Sequence, residues 1–463
     1  MTMKKRGIWK CIIFSLIAIL GFLMFLYTDV AETTRHGINV WVTLDKGCFR
    51  DFYRYNVNST MGNNMGNSVV CTYDFPIFII FAIWDLPLFI YEKVTGLYAL
   101  DTMLGVLWAK SIILPFLMGT IGVMIKIGKK LRKDFDAKEF YSLFLSSALF
   151  FVPIVIMGQY DIIMLFFIMR GILAYMEDDI KKFVLYFAIA NVFKMFAIFI
   201  FVPLVLFREK KLVKAILNIV LGMVPLLLCK IIQSFYFTKS EEGTEFVAGH
   251  LLSFMFQGQM GLVYGSVSLF VLAMVVFCMY TYMKKKPSDK DMPRWTLYIS
   301  LIGFSIFFIT CQTHPQWIIL LLPFLILLIM SFETEQERKV GICLETILSI
   351  GILMSDFIFY YWVFNVKTSV FTLAGKLFYN GEKDWNYSIK DWISGVLPNI
   401  DINYINLAGG GLFVAGLLFF IFWSYPKKKQ DQFAEVEIPS ELLYVVRGIV
   451  ILMTYGMLIN LLR

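Results

Sequence analysis

Long apolar stretches recur along the whole chain, and they restrict its fold more than any other feature. Each approaches the roughly 20 residues that an α-helix needs to cross a bilayer. The stretches are 8–27, 103–127, 139–157, 161–176, 183–207, 212–229, 261–283, 295–311, 316–332, 340–364, 408–425 and 442–461, with 75–92 as a further one that is interrupted by Asp85 and Pro87. Charged residues make up only 16% of the chain, against about 25% in a soluble domain. The sequence therefore predicts an all-α, polytopic transmembrane helical bundle of roughly 11–13 membrane segments with additional outer-loop helices.

The net charge of +8 lies in short basic clusters beside these stretches, which indicates membrane orientation rather than nucleic-acid binding. Loops rich in Lys and Arg stay in the cytoplasm. The clusters are Lys4 to Arg6, Lys126 to Lys133, Arg208 to Lys214, Lys284 to Lys290 and Lys427 to Lys429. The first span has a basic start and no small-residue cleavage site, so it is expected to be an uncleaved anchor. Loops 28–74, 230–260 and 366–407 are then predicted to lie outside.

Two apolar stretches conflict with this orientation if each crosses the membrane as one continuous helix. A full crossing by 75–92 would put the cluster 126–133 outside, and its prolines and Asp85 favour a segment that enters and returns. The stretch 183–207 has basic residues at both ends and Lys194 at its middle. Either it consists of two short helices that meet near Lys194, which is tolerated where they line a protein cavity, or the charge rule is locally violated.

The first outer loop contains Cys48 and Cys71, which either form a disulfide or remain two free thiols. Asn58 begins a glycosylation sequon in the same loop. No pair of the seven cysteines has metal-ligand spacing, and the sequence has no glycine-rich phosphate loop. A nucleotide-binding domain is therefore not expected, and no cofactor is predicted.

Ionisable residues at or within apolar stretches are costly there, and they are candidates for function for that reason. Eight such residues stand out in this chain. They are Asp29, Glu32, Arg35, His36, Lys110, Asp161, Lys194 and His314. On a helix, Asp29, Glu32 and His36 would share one face.

In the predicted orientation, Asp29, Asp161 and His314 converge at the outer boundary of the membrane. Lys194 joins them if its helix is broken, and Lys110 reaches toward them by snorkelling. Carboxylates suit proton abstraction from a hydroxyl, and neighbouring cations suit a phosphate leaving group. The combination indicates group transfer from a phosphorylated lipid carrier.

Each of these residues also has a purely structural interpretation. Asp29 and Glu32 are compatible with a solvated helix end, and the lysines with neutralisation of buried acids. Asp161 is equally suited to cap a helix N-terminus, and His314 to begin a packed helix. The sequence alone leaves these alternatives open.

Five segments, in order along residues 28–325, resemble motifs of the GT-C superfamily of polyprenyl-phosphate-sugar-dependent membrane glycosyltransferases. YTDVAETTRHGINVW resembles the acidic motif after the first span, and TYDFPIFIIF resembles the Tyr-Pro-Pro-Leu motif that ends the first outer loop. GQYDIIMLFFIMRG, FKMFAIFIFVPLVLF and THPQWIILLLPFL resemble motifs of the dolichyl-phosphate-glucose-dependent glucosyltransferases. These motifs add Tyr73 and Gln159 to the residues expected to contact substrate.

The resemblance implies metal-independent transfer from a polyprenyl-phosphate sugar, with inversion at the anomeric carbon. The acidic residue after the first span, here Asp29, is the usual base, and Glu32 is the second catalytic candidate. The substrate-binding candidates are Arg35, His36, Tyr73, Lys110, Gln159, Asp161, Lys194 and His314. Pro315 and Gln316 stand where the glucosyltransferases have Glu and Lys, which leaves the donor sugar open.

Two modules are predicted: a catalytic module over 1–260, and a C-terminal module over 261–463. The aromatic residues of outer loop 366–407 either shape the acceptor groove or form an interfacial belt. The expected acceptor is a glycan or glycolipid on the outer face of a bacterial plasma membrane, with the endoplasmic reticulum as the eukaryotic alternative. A polysaccharide polymerase or ligase is a rival function, although loop 366–407 lacks the arginines that would hold a lipid diphosphate. A lipid-linked glycan transporter is another, although the sequence lacks repeated halves.

Overall fold

The structure is a computed structural model that describes residues 3–57, 59–63, 66–67, 71, 73–238, 252–263, 265–426 and 439–463. The sequon residue Asn58, the basic cluster Lys427 to Lys429 and residues 239–251 of a predicted outer loop lie outside the described residues. So do the side chains of the first basic cluster.

Almost all of the regular structure is helical, which confirms the predicted all-α class. The first half contains α1 (Met3–Met24), α2 (Thr28–Asp45), α3 (Phe52–Val57), α4 (Phe75–Trp84), α5 (Leu86–Thr95), α6 (Met103–Ser111), α7 (Ile113–Leu131), α8 (Ala137–Leu145), α9 (Ala148–Phe150), α10 (Asp161–Met176), α11 (Ile180–Phe193), α12 (Ile198–Arg208) and α13 (Leu212–Tyr236). The second half contains α14 (Leu252–Phe256), α15 (Leu269–Met283), α16 (Met292–Thr310), α17 (Leu322–Ser331), α18 (Glu335–Phe359), α19 (Lys367–Val370), α20 (Leu373–Phe378), α21 (Ile389–Val396), α22 (Asn403–Trp423) and α23 (Ser440–Asn460).

Short elements of other types connect these helices. The 3-10 helices are Phe49–Asp51, Ala99–Asp101, Met195–Ala197 and Pro315–Leu320, and the π-helix is Phe151–Ile156. Two antiparallel hairpins pair β1 (Thr60–Gly62) with β2 (Gly66–Asn67) and β3 (Gln259–Leu262) with β4 (Gly265–Ser268). The second hairpin occupies the start of the predicted span 261–283. The helix of that span therefore begins at Leu269, because residues 259–262 and 265–268 pair with each other as strands.

The described residues contain six helices that are long and apolar enough to cross a membrane. They are Met103–Leu131, Leu212–Tyr236, Met292–Thr310, Glu335–Phe359, Asn403–Trp423 and Ser440–Asn460. The first of these combines α6 and α7. Three bent helix pairs raise the number to nine if each pair is one span, and three shorter apolar helices accompany them. The chain is therefore a multi-pass helical membrane protein.

Both stretches that conflict with the predicted orientation as continuous helices are broken in the structure. Helices α4 and α5 meet at Asp85 with a bend of 64°. Lys194 separates α11 from the following 3-10 helix and has an extended backbone, with φ −161° and ψ 129°. The alternative, a continuous helix with a local violation of the charge rule, is therefore wrong for 183–207.

A buried ion pair that the sequence analysis did not identify ties the C-terminal spans to the first half. The Arg447 guanidinium of α23 contacts the Glu345 carboxylate of α18, and both side chains are almost fully buried. Arg447 also donates to Ser146 Oγ at 2.8 Å, and Ser147 Oγ donates to Glu345 at 2.5 Å. These contacts lie at the 68° bend between α8 and α9. Hydrogen bonds to both charges offset the cost of burying them.

Candidate active site

The candidate active site lies where several helices break. One break separates α1 from α2, and the second, Met157–Tyr160, separates the π-helix from α10. Lys194 forms the third, and residues 311–314 before the 3-10 helix Pro315–Leu320 form the fourth. These segments, together with the end of the predicted first outer loop, supply the residues of one site. We call this group the central site: Asp29, Tyr73, Asp161, Lys194 and Gln316.

Asp161 and Lys194 form the ion pair of the central site. Lys194 Nζ lies 2.7 Å from one oxygen of the Asp161 carboxylate and 2.9 Å from the other. Gln159 Nε2 donates to Asp161 at 3.1 Å. Tyr160 occupies the N-cap position of α10, so Asp161 holds the lysine of the broken helix instead of capping its own. This contact explains a carboxylate between two apolar segments, since buried charges are paired.

Aromatic rings surround the ammonium group of Lys194. The ring centroids of Tyr73, Phe196 and Trp317 lie 5.6, 5.1 and 4.8 Å from Nζ. Cation–π attraction contributes to holding the ammonium in place. A cavity of about 10 Å³ borders the ion pair, which is about the space that one water requires.

Asp29 lies in the first turn of α2 and faces the same region. Gln316 Nε2 donates to its Oδ2 at 3.1 Å. Burial raises the pKa of the Asp29 carboxyl to about 6, and Lys194 opposes this rise. Asp29 is therefore mostly ionised at neutral pH, as a general base must be.

Glu32 lies one helical turn after Asp29 and has a different protonation state. Burial and the neighbouring Asp29 together raise the pKa of its carboxyl to about 8, and Lys367 opposes the rise. Two neighbouring acids rarely ionise together in a partly desolvated site. At neutral pH Glu32 is therefore mostly protonated, which favours Asp29 over Glu32 as the base.

Tyr160 connects α2 to the segment that precedes α10. Thr33 Oγ1 donates to the Tyr160 hydroxyl at 3.1 Å, and the Tyr160 ring packs against the Tyr73 ring at 5.5 Å. Sequence reasoning missed Tyr160, Gln316 and Lys367 as members of this region. Tyr160 and Gln316 stand inside the motifs GQYD and THPQ, so these motifs could have identified them. Lys367 lies in the predicted outer loop 366–407, where no motif marks it.

His314 lies next to the central site but adds no positive charge to it. Its ring centroid is 4.9 Å from that of Trp317 and 5.6 Å from that of Tyr360. Burial lowers the pKa of His314 to about 4, and the nearby Lys194 lowers it as well. The imidazole is therefore neutral at neutral pH.

Lys110 does not reach the central site, so the prediction that it snorkels toward a donor phosphate is wrong. Its side chain is fully buried, and Nζ donates to the carbonyl oxygens of Phe22 at 3.0 Å, Phe25 at 2.6 Å and Val155 at 2.5 Å. Helix ends and π-helices leave such carbonyls without helical partners. Gly158, with φ +71°, gives this side chain room, because a Cβ there would lie 2.8 Å from Lys110 Cγ.

Arg35 and His36 lie farther along α2 and face other parts of the structure. The Arg35 guanidinium donates to both oxygens of Glu92 at 2.8 and 2.7 Å and to the Met61 carbonyl at 2.9 Å. The His36 ring packs edge-on against Phe78 at 5.4 Å. Cys48 and Cys71 are free thiols, so the disulfide alternative is excluded.

Comparisons with known proteins give little beyond a distant likeness. No family model and no curated protein match the chain. Two crystal structures of ArnT from Cupriavidus metallidurans, one bound to undecaprenyl phosphate and one in the apo state, are similar to it with a TM-score of 0.41 each and identities of 11% and 12%. Both comparisons cover 90% of this chain and 76% of the other.

Proposed function

We propose that the protein is a membrane glycosyltransferase that moves a sugar from a polyprenyl-phosphate donor to a hydroxyl of an acceptor glycan or glycolipid. The observation that carries the proposal is that one buried site contains two groups that the reaction needs. One is a carboxylate that is ionised at neutral pH, and the other is a lysine whose contacts leave one N–H donor for a ligand. The motif resemblance to the GT-C superfamily agrees with this assignment. The proposed location is the plasma membrane of a bacterium, with the site facing outside.

In this reaction Asp29 accepts the proton of the acceptor hydroxyl. The hydroxyl oxygen forms the new bond to the anomeric carbon, from the side opposite the phosphate, which inverts the configuration. The bond between that carbon and the phosphate oxygen breaks, and its electron pair leaves with the polyprenyl phosphate. A positioned base lowers the barrier because a hydroxyl is a poor nucleophile until its proton leaves.

Lys194 is the residue that would stabilise the leaving phosphate. An ammonium group has three N–H donors, and two are directed at the Asp161 oxygens. The third is available to a phosphate oxygen in this proposal. A charge-assisted hydrogen bond of this type strengthens as negative charge develops on the leaving group.

The direct test is sugar transfer by the purified full chain. The protein is incubated with radiolabelled polyprenyl-phosphate sugars and hydroxyl acceptors, and the released polyprenyl phosphate and labelled product are separated. Label in the acceptor, lost in Asp29→Asn, is the expected result. Transport of the intact donor across vesicles without transfer would instead identify a transporter. Labelling of half-buried Cys48 in whole cells by a membrane-impermeant thiol reagent tests the outward orientation.

A further inference from the structure

A second cavity, separate from the central site, is lined by residues of α2, of the predicted first outer loop and of the segment 92–98. Its volume is about 540 Å³, within the roughly 300–1,000 Å³ range of small-molecule sites. Its polar and aromatic lining includes Arg35, Asp51, Arg54, Tyr55, Glu92 and Tyr98. We call this space the outer cavity, and the reaction proposed above does not use it.

The charges of the outer cavity argue against an anionic ligand. The two arginines of its lining are matched by two carboxylates, so the formal charges cancel. A site for phosphate would instead present an excess of cations or backbone N–H groups. Arginine is only a donor and an ionised carboxylate only an acceptor, whereas a hydroxyl group is both. A lining that presents both donors and acceptors therefore suits a ligand rich in hydroxyl groups.

The wall of the outer cavity is already held in place without a ligand. Glu92 accepts two hydrogen bonds from Arg35 and a third from the backbone N–H of Ala99 at 2.9 Å. The Arg35 guanidinium lies 5.2 Å from the Tyr98 ring centroid and is itself buried. Its Nε has no hydrogen-bond partner among the described residues. Preorganised groups bind with a smaller loss of conformational entropy than mobile ones.

Two half-buried aromatic rings, Tyr55 and Tyr98, complete the lining. Such rings present an apolar face together with a polar hydroxyl group. The C–H face of a pyranose packs on a face of this kind while its hydroxyl groups reach the charged pair. The lining therefore combines the two contacts that a neutral sugar needs.

Helix α2 connects the outer cavity to the central site. Asp29 lies in its first turn, and Arg35 and Asn39 follow on the same helix, roughly 9 and 15 Å along its axis. We infer that the outer cavity binds a neutral sugar unit of the acceptor, remote from the hydroxyl that reacts at Asp29. The assignment of this sugar to an acceptor rests on the proposed function, whereas the binding of a neutral sugar does not depend on it.

The test measures sugar binding without any donor, so that it does not depend on transfer. The probes are neutral trisaccharides of glucose, galactose, mannose and N-acetylglucosamine, with inorganic phosphate as the anionic comparison. Binding to the detergent-purified full chain is followed by saturation-transfer NMR and equilibrium dialysis. The variants are Tyr98→Ala and Tyr98→Phe, and the matched control is Tyr91→Ala, since Tyr91 is exposed on α5 and does not line the cavity.

We expect at least one neutral trisaccharide to bind to wild type, Tyr98→Phe and Tyr91→Ala alike. Tyr98→Ala should weaken that binding about tenfold, because the variant loses the aromatic face. Binding of phosphate alone, of no trisaccharide, or of trisaccharide equally well to Tyr98→Ala would overturn the inference. If a trisaccharide binds as expected and no polyprenyl-phosphate sugar is used, the proposed function fails while the neutral-sugar site stands.

Discussion

Gln316 Nε2 donates a hydrogen bond of 3.1 Å to Asp29 Oδ2, and the two residues are 287 positions apart in the chain. The contact joins the start of α2 to the 3-10 helix Pro315–Leu320, which belongs to the C-terminal half. A donor at this oxygen fixes the direction of the carboxylate and favours its ionised form. Asp29 therefore depends on the C-terminal half for its orientation.

The first prediction concerns this hydrogen bond. Gln316→Leu should lower turnover roughly tenfold or more, since a hydrogen bond to a charged group contributes about 1.5–3 kcal/mol. It should also shift the acid limb of the pH–rate profile upward, because the variant no longer stabilises the ionised carboxylate. Turnover and pH profile are measured together. An unchanged acid limb would show that Gln316 does not position Asp29.

The second prediction concerns the pH dependence of the wild-type protein. Burial raises the pKa of Asp29 to about 6, and only the ionised form can accept a proton. Turnover should therefore rise as the pH increases through about 6 and fall as the pH decreases through it. Glu32→Gln should keep this limb, because Glu32 is already mostly protonated at neutral pH. A rate that does not change between about pH 5 and 7 would contradict this assignment of the base.

The third prediction separates the structural and ligand-binding roles of Lys194. Lys194→Met leaves the Asp161 carboxylate buried without its partner, which costs about 3–5 kcal/mol of stability. The double variant Asp161→Asn, Lys194→Met removes both charges and should recover most of the thermal stability. It should not recover affinity for the donor, which is expected to be about tenfold weaker or more. Recovery of both properties would assign Lys194 a purely structural role.

The fourth prediction concerns Lys110, whose ammonium group donates hydrogen bonds to backbone carbonyls. Lys110→Met leaves buried carbonyl oxygens without donors, at about 1–3 kcal/mol each. The variant should unfold at a lower temperature, whereas the folded fraction should bind donor with unchanged affinity. The control is Lys129→Met, since Lys129 is exposed at the end of α7. Weaker donor binding with normal stability would return Lys110 to the substrate site.

Sequence patterns were sufficient to predict the helical class and the places where the helices break. Lys194 and Asp85 interrupt apolar stretches, and a polar group in such a stretch is tolerated where the helix ends or lines a cavity. The predicted orientation also indicates that Asp29 and Asp161 lie at one boundary of the membrane, with Lys194 beside them if its helix is broken. These residues lie close together because each stands at a helix end, and these helix ends lie on the same side of the bundle.

Contacts between distant segments could not be predicted in the same way. Glu345 and Arg447 are 102 positions apart, and each lies inside a long apolar stretch whose high mean hydropathy masks the charges within it. Lys110 was misassigned because its acceptors are backbone carbonyls, which every residue carries and which no pattern distinguishes. Lys367 follows α18 in the predicted outer loop 366–407, where a lysine is common, so only the fold relates it to Glu32.

The central claim, that Asp29 is the general base, is tested most directly by the turnover of Asp29→Asn. The variant keeps the size of the side chain and a hydrogen-bonding oxygen, but it cannot accept the proton. We predict normal insertion and donor binding, with turnover lower by about 10²–10⁴-fold, while Glu32→Gln made in parallel stays near wild type. Near-wild-type turnover of Asp29→Asn would contradict the account. If Glu32→Gln were then the inactive variant, Glu32 would be the base.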